Sequence, residues 1–241
     1  IVFTPNSTWA GTIDNVSLKL ITQSSAIQNI RNSSGTIQNE LRTATNSVYF
    51  GLNAGRANTT GITNTAIGAR SMGANTTGNN NVATGYRSLE LNTTGSSNTV
   101  VGTTALAFNY TGSSNTAVGS AALNIANSSN NTAVGTNSLI ALTIGNSNTA
   151  VGDSSGQGLI SGSSNTFVGR RAGRDITTGS YNTVIGAGLD SGAFVLGITT
   201  GSSNTIIGSR IGALSATLSN NIILADGAGS IRAQWASTGA L

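Results

Sequence analysis

The 241-residue chain carries 7% charged residues and a net charge of +4, with neither Cys nor His, which excludes thiol chemistry, imidazole bases and His or Cys metal sites. Its 32 glycines, single proline and 5% aromatics exclude a core of large side chains. Polar, Gly-rich chains are commonly disordered, but the near absence of Pro and the fixed recurrence of apolar residues here predict an ordered repeat.

In chain order, residues 1–22 come first. The stretch FTPNSTWAGTIDNVSLKLIT (Phe3 to Thr22) resembles the last strands of a jelly-roll carbohydrate-binding module, of which it would be only a C-terminal remnant. The chain opens at Ile1, without Met or signal peptide, and is expected to be a piece of a longer polypeptide. Residues 23–46 contain IQNIRNSSGTIQNELR (Ile27 to Arg42), predicted as a connecting hairpin about Asn32-Ser33-Ser34-Gly35. Gly35 makes a coiled coil the lesser reading of Ile27, Ile30, Ile37 and Leu41.

From 47 to 225 one sentence is rewritten, as in GSSNTAVGSAAL from Gly112 to Leu123. Anchor glycines fall at Gly51, Gly68, Gly85, Gly102, Gly119, Gly135, Gly152, Gly169, Gly186 and Gly208, with Ala225 in the last copy. Their spacing is 17 residues, with one step of 16 and one of 22. The residue before the anchor is apolar: Ile67, Val101, Val118, Val134, Val151, Val168, Ile185 and Ile207 are the expected coil core. Thr at three before shares that side by strand alternation. The residue two before, Ala66, Ala117, Phe167, Val184 or Ile206, is expected to face outward and form a subunit interface.

Four before the anchor stands an asparagine: Asn64, Asn81, Asn98, Asn115, Asn131, Asn148, Asn165, Asn182, Asn204 and Asn221. A 17-residue unit rich in β-branched residues, Asn and Gly is too short for a domain, but it can be one coil of a stack. The expectation is an all-β parallel β-solenoid, or β-roll, of about eleven coils. At ~4.8 Å per coil, the Asn column becomes a ladder of side-chain amides.

NTAIG, NTAVG and NSVYFG (the last at Asn46 to Gly51) resemble the repeat of trimeric autotransporter adhesin heads, which implies a left-handed parallel β-roll that trimerises through an apolar face. The longer NTTGSSNTAVGxxAL form is similar to repeat regions of bacteriophage tail fibres. The adhesin-head repeat is usually shorter than this one.

The 22-residue step carries five extra residues within AGLDSGAFVLGITT, including Phe194, Val195 and Leu196, an expected recognition loop or a tolerated bulge. Residues 226–241 follow the last copy. NIILADGAGSIRAQW (Asn221 to Trp235) is predicted as strand, Asp-Gly turn, strand, and resembles the neck of phage fibres that leads to a further C-terminal domain.

Chemistry is sparse. Asp175 and Asp190 fall outside the strand columns near the irregular unit, where they could meet, and are expected to be solvated turn residues rather than a glycosidase pair. Asp153 and Arg170 share a column in successive coils and should pair. Arg70 and Arg87 also share one, marking either an anionic ligand or a solvated face. No catalytic residue, metal or cofactor is expected. The basic excess lacks interleaved aromatics and no run approaches ~20 apolar residues, so neither nucleic acid nor membrane insertion is expected. The expected role is a shaft or receptor-presenting segment of a trimeric virion tail fibre, extracellular. Its partners would be itself, other fibre proteins and a host glycan or protein receptor. A bacterial surface adhesin is the alternative. An ice-binding solenoid is more distant, because it needs an exposed Thr array and the Thr column is expected inward or at a corner.

Overall fold

The computed structural model describes residues 26–31, 34–35, 37–44, 46–188, 197–211 and 214–236. Among them every regular element is a strand, and all fourteen lie in one sheet in sequence order. β1 (Ala26–Arg31), β2 (Ile37–Ala44) and β3 (Ser47–Phe50) pair antiparallel. β3 is the first strand of a parallel stack. It continues through β4 (Thr65–Ile67), β5 (Val82–Thr84), β6 (Thr99–Val101), β7 (Thr116–Val118), β8 (Thr132–Val134), β9 (Thr149–Val151), β10 (Thr166–Val168), β11 (Thr183–Ile185), β12 (Thr205–Ile207) and β13 (Ile222–Ala225). β14 (Ile231–Trp235) turns back antiparallel to β13. The chain is a parallel β-solenoid of about ten turns. Each strand residue pairs with its equivalent one coil on, as Phe167 does with Ala150 and Val184.

The sequence explains why a coil closes in so few residues. The anchor glycines have φ near +130°, and a Cβ on Gly135 would lie 2.3 Å from the carbonyl oxygen of Gly152. Only glycine permits successive turns to approach so closely. Left-handed backbone recurs at three further places per coil, five before, two after and four after the anchor, as at Ser114 (φ 59°), Ala121 (φ 55°) and Leu123 (φ 51°).

The inside of the coil is not where hydrophobicity placed it. Ala66, Ala117 and Phe167 are fully buried and Ile206 nearly so, while Val184 is half-buried and packed against the core. The expected subunit interface is therefore the coil core. Conversely Ile67, Val101, Val151, Val168, Ile185 and Ile207 are exposed, at 38–44%, and Val118 and Val134 are half-buried. These residues are an outward file. The reason is parity: Asn at four before the anchor is buried, so the residue two later points inward with it and the residues between and after point out. A narrow lumen, filled from its other sides by Leu106, Leu123 and Leu139, takes Ala at five of its eleven levels and Val or Ile at four.

Two levels carry an aromatic ring inside, and both compensate opposite. Where Tyr49 and Phe167 enter the core, the position four after the anchor is Gly55 or Gly173 instead of Leu. A Cβ there would sit 2.1 Å from Tyr49 Cδ1 or 2.4 Å from Phe167 Cδ1. Volume is thereby exchanged between facing positions, as dense packing requires.

Candidate functional site: buried ladders and two outward sides

The asparagine ladder runs the length of the stack. In each coil the backbone N–H of Asn donates to the Oδ1 of its equivalent in the preceding coil, for example Asn148 to Asn131 at 3.0 Å and Asn165 to Asn148 at 3.0 Å. The side-chain Nδ2 donates to the same oxygen in most coils, and also to a turn carbonyl of the following coil: Asn148 Nδ2 lies 2.9 Å from the oxygen of Gly162. One side-chain amide thus satisfies both an N–H and a C=O of the following coil, each buried. The ladder crosses the 22-residue step intact, with Asn204 N to Asn182 Oδ1 at 3.1 Å. It is closed at both ends: Ser47 Oγ accepts from Asn64 N at 2.9 Å, and Gln234 of β14 donates to Asn221 Oδ1 at 3.1 Å.

A second ladder stands seven after the anchor, at Asn58, Asn75, Asn92 and Asn109, with Nδ2 to Oδ1 distances of 3.0, 2.7 and 2.9 Å. It stops where the column becomes Ala126 and then Leu142 and Leu159, all buried. The buried Oδ1 of Asn109 is left without a partner. The 16-residue coil begins at this level, and Asn127 Oδ1 there accepts the N–H groups of Tyr110 and Thr111 at 3.0 and 2.9 Å. A third column explains the serines of GSSN: Ser113 Oγ accepts from Ser96 N and Ser180 Oγ from Ser163 N, each at 3.0 Å.

Outside the lumen the coils present two distinct sides. On the sheet, the Val and Ile file runs beside a Thr file, Thr65, Thr99, Thr116, Thr132, Thr149, Thr166, Thr183 and Thr205, half-buried or exposed. The Thr column therefore faces out, contrary to the expectation that it lies inward or at a corner.

The side that follows the anchor glycine carries the charge. All seven arginines of the coils, Arg56, Arg70, Arg87, Arg170, Arg171, Arg174 and Arg210, stand one, two or five positions after an anchor, and the acids Glu90, Asp153 and Asp175 lie on this stretch too. Glu90 is buried and joins two coils: Arg70 Nε sits 3.2 Å from one carboxylate oxygen, and Arg87 Nε bonds the other. The side-chain hydrogen bond that Arg87 donates to Glu90, reinforced by the carboxylate charge, holds the Arg87 guanidinium above its ordinary range. The shared column of Arg70 and Arg87 is thus bridged by the protein's own carboxylate. Beside it a notch of about 250 Å³ is lined by Asn53, Arg56, Arg70, Gly73 and Glu90 among others. Asp153 and Arg170 pair as expected, at 3.9 Å across half-exposed side chains, a contact worth ~0–1 kcal/mol. Asp175 pairs with Arg174 at 3.2 Å, while Asp190 lies outside the described residues, as do Phe194, Val195 and Leu196.

At the C-terminal turn Asp226 Oδ1 accepts N–H groups of Ala228 and Ser230 at 2.9 and 3.0 Å, and Arg232 bonds Oδ2. Chiefly through the Ser230 backbone bond, its carboxyl is held below the usual carboxylate range. Among the described residues no group of three or more acidic, His or Cys side chains is arranged to hold a metal ion. No protein-family model, curated protein or solved structure matches the chain.

Proposed function

We propose that the chain is a shaft or receptor-presenting segment of a trimeric virion tail fibre, extracellular and non-catalytic, which serves attachment to a host cell. The observation that carries this reading is the outward Val and Ile file. It places a ~40%-exposed apolar side chain at eight of eleven levels, forming a seam ~45 Å long at ~4.8 Å per coil. A continuous apolar seam on a rod asks for cover, and copies of the same chain in a closed ring provide it with matching period. This seam takes the place of the Ala66 column as the subunit contact. The resemblance of the repeats to tail-fibre and adhesin-head sequences supports the same assembly, and other fibre proteins would be its neighbours.

Sedimentation equilibrium is expected to give three copies, and Val151→Asp with Val168→Asp to release folded single chains. A wild-type chain that remains a stable monomer overturns the trimer. A bacterial surface adhesin with a β-roll head shares the architecture, and imaging of the intact assembly separates a fibre on a virion from a projection on a cell.

A second reading is favoured by the outward Thr file. Paired hydroxyl and methyl groups at a constant rise on a flat strand stack are what an ice-binding surface requires. Thermal hysteresis of the isolated chain that is abolished by Thr149→Tyr would carry that reading, and its absence would remove it.

A further inference from the structure

Charge is the scarcest property of this chain, and among the described coil residues it lies on the side that follows the anchor glycine, before and after a long uncharged run. No charged residue occurs between Glu90 and Asp153. The first group surrounds a built feature. Five positions after the anchor, successive coils carry Arg56, Gly73 and Glu90, so a long side chain is missing at the middle level and a notch of about 250 Å³ opens between its neighbours. A Cβ on Gly73 would lie 3.2 Å from the carbonyl oxygen of Arg70, a tight contact, and the next coil carries a side chain at the equivalent position, Glu90. Arg56 is exposed and makes no ion pair among the described residues. Arg70 spends its Nε on Glu90, which leaves its terminal nitrogens able to donate.

We propose that this notch binds an acidic sugar residue of an anionic surface polysaccharide. Guanidinium groups from two coils would hold the acid group by charge-assisted, fork-like hydrogen bonds. Asn53 supplies an amide for ring hydroxyls, and Glu90, with lone pairs beyond those used by Arg70 and Arg87, accepts from another. Nucleic acid fits less well. A single strand needs successive stacking platforms, and a duplex needs a continuous phosphate-neutralising strip; here no aromatic lines the notch and the charge is interrupted for many coils. The proposal extends the attachment role by naming a ligand class, and it uses that reading only in leaving this side of the rod uncovered.

The test is calorimetric titration of the full chain with tetragalacturonate, with a sulfated tetrasaccharide of equal length, with a neutral galactan oligomer and with a thymidine octanucleotide. Binding of an acidic tetrasaccharide with a Kd below about 1 mM and none of the galactan is expected, and the preferred acid names the group recognised. Arg56→Gln should weaken it about tenfold, the worth of one charge-assisted bond. Gly73→Glu, which gives this level the residue that the next coil carries, should abolish it with the fold retained by circular dichroism. Arg210→Gln, the same charge loss elsewhere on the same side, should leave it within twofold. Equal losses for Arg56→Gln and Arg210→Gln, binding of the galactan, no binding of either acid, or tighter Arg56-dependent binding of the octanucleotide each overturn the proposal. A monomeric chain that still binds would retain this site while removing the trimer, so the two readings fail separately.

Discussion

Replacing Phe167 by Ala tests whether the coil interior is packed level by level. The ring is fully buried and fills space that two coils leave open: a Cβ on Gly173 would meet it at 2.4 Å and one on Gly156 at 2.7 Å. Removing it should cost about 3–5 kcal/mol, the usual range for a buried Phe cut to Ala. Gly173→Leu alone should also destabilise, because its side chain would enter the occupied ring. The two changes together recreate the Ala117 and Leu123 arrangement found at another level, where Leu is accepted at φ 51°, close to the 63° of Gly173.

The double variant is therefore expected to recover about half or more of the Phe167→Ala loss. The recovery is incomplete because Gly156 leaves its own share of the space empty. Solenoids unfold by neighbouring units rather than as one body, so the readout is hydrogen exchange of the amides of β9 to β11 alongside denaturant melting. A Phe167→Ala loss below about 1 kcal/mol, or a double variant no better than the worse single one, would refute the packing argument.

Other expectations concern the ladders, the turns and the C-terminal hairpin. Asn148→Ala should cost about 2–5 kcal/mol, since it orphans the buried N–H of Asn165 and the carbonyl of Gly162 at ~1–3 kcal/mol each; denaturant melting measures it, and a loss under 1 kcal/mol would show that water replaces the rung. Ala121→Gly should raise stability by about 0.5 kcal/mol, relief of the left-handed φ outweighing the added freedom of the unfolded chain, read as a higher melting temperature. Asp226 has a folded-state pKa below its unfolded value of 3.8. Its contribution is accordingly present above that value and lost as pH falls through the depressed one; exchange of the β14 amides should accelerate only in that acidic window, and Asp226→Asn should remove the pH dependence.

The period, the strand positions and the primary asparagine ladder were legible in the sequence because each is a column property, and stacking turns columns into contacts. The phase of the strand was not. Choosing the most apolar column as the inside works when a core has room for large side chains, and here it reversed Ile67 with Ala66. The better guide was Asn64 and its equivalents: a polar residue kept in ten copies of a stack needs partners on both sides, which only burial in register supplies. The second ladder was present in the sequence as Asn58, Asn75, Asn92 and Asn109 but hidden, since its column turns apolar at Ala126. The exchange of Leu for Gly opposite Tyr49 and Phe167 was equally present in the text and meaningful only once the strand phase was known.

That phase also explains why the two ladders end differently. A ladder has polarity: each rung offers Oδ1 to the coil that follows, so the last rung always holds an acceptor that nothing in the repeat can fill. At the C-terminal end the chain solves this by reversing direction, and Gln234 of the antiparallel β14 supplies the donor to Asn221. At Asn109 the stack continues with Ala126, and no reversal is available within a parallel array. The unpaired oxygen costs about 1–3 kcal/mol, placed beside the shortened coil. With near-neighbour coupling along the rod, local opening should begin at this junction. Amides of residues 109 to 127 are then expected to exchange faster than those of the coils on either side, and uniform protection through this region would contradict the assignment of a weak rung.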